Sequence, residues 1–257
     1  MPDALSGIAN YCFRWCERCP YTGHCTVFEM GARSGAENLR NRDLPRSFPA
    51  LAGTYKDFLQ RLGTQLQRDG IDLDVLESRP PLSMEELITH SRKVVLRYLQ
   101  DSQWTRGLVR SANFDDPAVQ AAHALNWYVI TIGPKIQRSL KSRLESGNHP
   151  EDYFYADARR TAYLTLLCLS RSIAAITVVL ECDIRPRVSL VNLAAEFVQL
   201  ISSLRTIYPD VSLFSRPVWD DPAELVQQAA FYNGKPPLHP FQEGMWGYGG
   251  QRAPGGE

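Results

Sequence analysis

In the stretch SMEELITHSRKVVLRYLQDSQWTR, Leu87, Val94 and Tyr98, flanked by Ile88, Val95 and Leu99, fall on one side of a helix of 3.6 residues per turn. Ser83 followed by Glu86 predicts a capping box at its start, because each side chain can satisfy a backbone N–H the helix leaves open. Asp116 then Pro117 repeats the start signal, with a cap side chain before a proline whose missing N–H costs nothing there. The helix it opens is predicted to run to Ser146 and close at Gly147, with a kink at Gly133–Pro134. A further helix covers Tyr153 to Cys182. After a short turn from Asp183 to Arg187, another runs from Val188 to Tyr208 and stops at Pro209. Weaker helices are expected over Gly53 to Arg68 and from Asp221–Pro222 to Tyr232.

No stretch alternates apolar and polar residues over a useful length, and no repeat recurs. The fold class is therefore all-α. Short connections between long helices predict an antiparallel, up-and-down helical bundle over residues 51–232. Ahead of it lie a cysteine-rich head, residues 1–30, and a polar linker broken by Gly and Pro, residues 31–50. Residues 233–257 are rich in Gly and Pro and are expected to be disordered or draped on the surface.

The most apolar segment, Thr161 to Cys182, is long enough to span a bilayer, but Arg171 stands at its middle. A charge there costs roughly 2.5–3.5 kcal/mol even on a lenient insertion scale, and no basic or aromatic belt flanks the segment. The expectation is a buried bundle helix and no transmembrane segment. The first residues, MPDALSGIANYC, show neither a basic region nor an apolar run, so no secretory signal is read. The expected location is the cytoplasm, where thiols stay reduced. Lys and Arg number 28, as do Asp and Glu, so no general basic surface for nucleic acid is expected.

Candidate chemistry concentrates in YCFRWCERCPYTGHC, residues Tyr11 to Cys25. In a reducing compartment, clustered thiols point to a metal rather than to disulfides. Cys12, Cys16 and Cys19 would share a face of an unbroken helix, yet Cys12 and Cys19 would then stand about 10 Å apart along its axis. Zn–S bonds of about 2.3 Å cannot bridge that gap. Pro20 pushes Cys19 out of the helical region, so the helix is expected to end there and Cys25 to return from the next loop. Two occupants fit. An iron–sulfur cluster suits sulfurs a helical turn apart, with proline after a ligand. Zinc suits four thiolates, or three with His24 as the substitute ligand. The C-x3-C-x2-C spacing also occurs in radical enzymes built on β/α barrels, and nothing in this chain reads as a barrel. Tyr11, Phe13, Trp15 and Tyr21 are expected to glue the head to the bundle, and Cys168 and Cys182 to be small buried apolar residues.

Other constellations are weaker. Ferritin-like di-iron sites need paired Glu-x-x-His motifs, which the chain lacks. Glu86, His90, Lys93 and Arg97 form a polar stripe that reads as a solvated face. His123, near Asn126 and Trp127, reads as a core histidine that Asp157 could face from the next helix. Arg171 is expected to form a buried or half-buried pair with Glu196, so that Arg171→Ala would destabilise strongly. These four, His123, Asp157, Arg171 and Glu196, are the candidates for a pocket inside the bundle. Lys135, Arg138, Lys141, Arg143, Arg159 and Arg160 read as a solvated basic ridge. The glycines at 244, 247, 249 and 250 follow no strand and precede no helix, so they form no phosphate loop.

The segments ANYCFRWCERCPYTGHC, LNWYVITIGPKI, RSIAAI and YPDVSLFSRPVWD resemble an uncharacterised bacterial all-helical protein family with an N-terminal C-x3-C-x2-C-x5-C motif. The resemblance implies a bacterial origin and a helical body, and no activity. In that group a D-A-N-G-S-A-K stretch precedes R-S-I-A-A. Here DARRTAYLTL keeps Asp157 and Ala158 and lacks the Gly and Lys, which puts any site there in doubt. The leading reading is a metal-binding helical protein with an iron–sulfur cluster for electron transfer or redox sensing and an unidentified protein partner. The alternatives are a structural zinc site on an interaction module, and a metal-dependent oxidoreductase with its pocket in the bundle.

Overall fold

The computed structural model describes residue 25 and residues 49–51, 55–111, 113–146, 153–184 and 187–211. Among these the chain is all-helical, with no strand. A 3-10 turn, Pro49–Leu51, precedes α1 (Tyr55–Gln67), α2 (Leu73–Glu77), α3 (Met84–Asp101), α4 (Gln103–Val109), α5 (Pro117–Glu145), α6 (Tyr153–Glu181) and α7 (Arg187–Ile207).

The starts follow the sequence signals. Ser83 accepts from the Glu86 amide while Glu86 accepts from the Ser83 amide, and this bonding holds the Glu86 carboxyl below its ordinary range. Asp116 accepts from the Ala118 amide ahead of Pro117 at the first turn. The ends of α1 and α6 share one device. Gly70 takes a left-handed φ of 72°, and the Ile71 amide reaches back to the Leu66 carbonyl at 3.0 Å. Asp183 does the same with φ 54°, and Ile184 reaches the Val179 carbonyl at 3.4 Å. Arg187 ties the two ends together. It donates to the Gln65 carbonyl at 2.8 Å, to Leu180 at 3.4 Å and to Asp69 at 2.9 Å, placing a cation where carbonyl dipoles converge.

Side-chain bonds give the helix directions. Ser142 reaches Asp157, Ser139 the Ala158 carbonyl and Thr131 Cys168, so α5 and α6 run antiparallel. Tyr98 reaches Asn126 and Arg92 reaches Gln137, which sets α3 antiparallel to α5. His90 meets Glu196 and the Leu82 amide meets Ser203, which sets α7 antiparallel to α3. α7 also packs on α6. α1 lies parallel along α6 through Arg61–Glu181 and Phe58–Thr177. One apolar core joins these helices, with Phe58, Leu87, Leu125, Ile132, Leu169, Ile173 and Phe197 nearly or fully buried.

Several expectations change. The predicted stretch through Trp104 divides at Ser102, where α3 ends and α4 begins. Leu99 is 44% exposed, because the buried line of α3 is Leu87, Ser91, Val94 and Tyr98. α5 runs as one helix with Pro134 inside it, as expected. Cys168 is buried as expected, but Cys182 sits exposed past the end of α6. α6 and α7 are both long and apolar enough to cross a membrane, by length and composition, which the sequence reading had not granted to α7. In this fold, 72% and 61% of their apolar windows are buried against the protein. The head, apart from Cys25, and the helix expected at 221–232 lie outside the described residues.

Tyr208 closes the core at the end of α7. Its hydroxyl donates to the Ser139 carbonyl at 3.0 Å and lies 2.9 Å from Ser139 Oγ, whose own proton goes to the Ala158 carbonyl. Burial, opposed in part by Ser139 and Arg143, pushes its pKa up to about 12. Burial also raises Tyr55 to about 12 and Tyr98 further. A raised tyrosine pKa means the neutral phenol is the form the fold favours. Its stabilisation is complete below the ordinary value of about 10 and disappears as pH rises through the folded value. Alkaline unfolding is therefore expected between pH 10 and 12, with tyrosinate absorbance and loss of helical circular dichroism rising together. Tyr208→Phe should delay that transition; an unchanged alkaline midpoint would exclude Tyr208 from the cause.

Candidate functional site

His123, Asp157, Arg171 and Glu196 do not converge. The α5–α6 register sets Asp157 opposite Ser142, with Arg138 one turn away. His123 lies fifteen positions before Arg138, about 22 Å along the helix at 1.5 Å per residue. It is half-buried, with its ring 5.2 Å from Phe114. Asp157 therefore cannot face it.

Arg171 comes level with Glu196, as the turn after α6 predicts, but on the wrong side. Thr131 meets Cys168 and the Arg171 guanidinium lies 5.9 Å from the Tyr128 ring, so this stripe of α6 faces α5. Arg171 is exposed. Glu196 projects instead toward α3, where His90 Nε2 meets it at 2.5 Å and Arg97 at 3.6 Å. The polar stripe of α3 is accordingly not wholly solvated: His90 is half-buried in a seam between helices, while Glu86 serves the cap.

Beside that seam, α3, α4 and α7 line a small cleft partly open to solvent. Val94, Tyr98, Leu190 and Leu193 form its apolar floor, Trp104 a wall, and Arg97, Asp101 and Glu196 its rim. Sequence spacing could have suggested Arg97 and Asp101 as one rim. It could not have paired them with α7.

The second polar cluster is at the other end of α5. Arg138 makes a bidentate contact with Asp157, at 2.9 and 3.1 Å, and Ser142 adds a third bond. Arg160 approaches the same carboxylate at 3.7 Å with only 6% of its side chain exposed, so the expected solvated ridge is wrong at this residue. It turns inward because Asp157, one turn earlier, is itself buried and must be paired. Arg159 binds Asp210 at 3.0 Å, and Arg143 lies over the Tyr155 ring at 4.7 Å.

Cys25 is a free, half-buried thiol. Cys12, Cys16, Cys19 and His24 lie outside the described residues. Among the described residues no group of three or more His, Cys, Asp or Glu is placed to hold a metal. No family model matches the chain, and neither a curated protein nor a solved structure matches it.

The two carboxylate sites separate the arginines in a measurable way. Asp157→Ala strands buried Arg160 and should cost about 3–5 kcal/mol, read by urea unfolding. Arg171→Ala removes an exposed group and should change stability by about 0.5 kcal/mol or less. The reverse order of effects would contradict the burial of Asp157 and the exposure of Arg171.

Proposed function

We propose that the protein binds a metal centre through Cys12, Cys16, Cys19 and Cys25, and that the centre is an iron–sulfur cluster used for electron transfer or redox sensing. The carrying observation is chemical: four thiols fall between residues 12 and 25, with proline directly after the third. Thiolates at helical-turn spacing match the span of a cluster better than that of one small ion. The helices α3, α5, α6 and α7 then act as an up-and-down bundle that carries the head, and an electron-transfer partner docks near it. Such a centre needs reduced thiols for assembly, which fits the cytoplasm.

Among the described residues of the helical body, Glu196 pairs with His90 and Arg97, and Asp157 with Arg138 and Arg160. The proposal therefore assigns the chemistry to the head and support to the body.

Protein purified without oxygen is expected to carry iron and acid-labile sulfide and to show a broad visible band that dithionite bleaches. Cys16→Ser should abolish the band while helical circular dichroism persists. One equivalent of zinc in a colourless sample would replace the cluster by a structural site, and Cys16→Ser would then loosen the fold. Four reactive thiols with neither metal would sink both assignments.

A further inference from the structure

The end of the fold where α5 stops and α6 begins is rich in arginine. Among the described residues, Arg138, Arg143, Arg159 and Arg160 gather there with Asp157 and Asp210. Lys141 and Glu145, on the outer surface, pair with each other at 3.7 Å.

Two donors in this cluster, Arg143 Nη1 and Arg159 Nε, and one acceptor, Asp210 Oδ1, are buried and make no hydrogen bond. Leaving a charged donor unsatisfied out of water costs more than leaving a neutral one. Both guanidinium groups converge on one ring, at 4.7 and 5.9 Å from the centre of Tyr155. The carbonyl ends of α5 and α7 lie here and favour cations. That accounts for arginines at this end. It does not account for N–H groups aimed at no acceptor.

We propose that this end binds a tetrahedral oxyanion of charge near −2, a phosphate group, between Arg143 and Arg159. A phosphate is anionic, and its several acceptor oxygens can take N–H bonds from two planar forks at once. Tyr155 holds the forks through its ring face. Arg159 has 30% of its side chain in solvent, so an anion reaches it by a side-chain shift without opening the core. The phosphate can belong to a soluble molecule or to a lipid headgroup; the recognition chemistry is the same.

In thermal unfolding of the full chain, inorganic phosphate is expected to raise the midpoint saturably, beyond potassium chloride of matched ionic strength. Arg143→Gln and Arg159→Gln should each weaken phosphate binding about tenfold or more. If either variant fails to fold, the wild-type protein still decides: the Arg159 Nε–H resonance should move as phosphate is added. Phosphatidylcholine vesicles doped with phosphatidic acid distinguish the sources. Capture that inorganic phosphate competes away assigns the headgroup, and absence of capture assigns a soluble phosphate. Stabilisation no greater than with chloride, undiminished binding in both variants, or an unmoved Nε–H resonance would each overturn the site.

Discussion

The close seam between α5 and α6 sets the geometry of everything around it. Ser139 Oγ donates to the Ala158 carbonyl at 2.9 Å, a bond from a short side chain to the neighbouring backbone. It forms only if the two helices approach closely, and the sequence permits that approach. Ala121, Ala122, Ala124, Ala158 and Ala162 are all buried, and Ala is small without giving up helix propensity. Tyr208 closes the core by bonding to Ser139 itself. The register of the seam thus determines where α7 ends, as well as which residues of α5 and α6 meet.

The same register sorts the charges. With Ser142 opposite Asp157, the first turns of α6 deliver a buried carboxylate to the last turns of α5, and Arg138 and Arg160 close on it. Farther along, the α6 stripe that meets α5 carries Cys168 and Arg171, and the arginine emerges beside Tyr128. Glu196, facing the opposite neighbour, is left to His90 and Arg97. Arg160 meets Asp157 within α6, whereas the other pairs, Arg138–Asp157 and Glu196 with His90 and Arg97, lie between helices the apolar core has already brought together. The pairs select orientation and register more than they hold the helices in contact.

Helix starts and lengths were legible because they depend on neighbours in sequence. Ser83, Asp116 and Pro117 act within one turn of themselves, and the structure begins α3 and α5 beside them. Rotation about the helix axis was not legible, because it depends on which helix lies alongside. Arg171 and Glu196 illustrate the difference: the turn at Asp183 fixes their level, but only the α5–α6 and α3–α7 contacts fix their faces. Leu99 and Arg160 failed in opposite directions for that reason, one expected inside and found exposed, the other expected in solvent and found buried. The break at Ser102 was missed because no proline or glycine marks it. The cleft beside Trp104 needed α4 to turn off the line of α3, which no periodicity announces.

Length and apolarity make α6 and α7 candidates for a bilayer as much as for a core, so the distinction rests on what their surfaces meet. The hydroxyls of α6 do not decide it. Thr165, Ser170, Ser172 and Thr177 each bond to the carbonyl four residues earlier, an arrangement satisfied in either medium. Arg171 weighs against α6 as an isolated span. At the middle of a bilayer its charge would cost roughly 2.5–3.5 kcal/mol on the lenient scale. Here it lies exposed over the face of Tyr128. The apolar run from Ile173 to Leu180 is meanwhile covered by helices that supply their own buried faces. In this fold α6 exposes its one central charge and buries the apolar surface beyond it, and the neighbours that produce this asymmetry are the ones the α5–α6 seam positions.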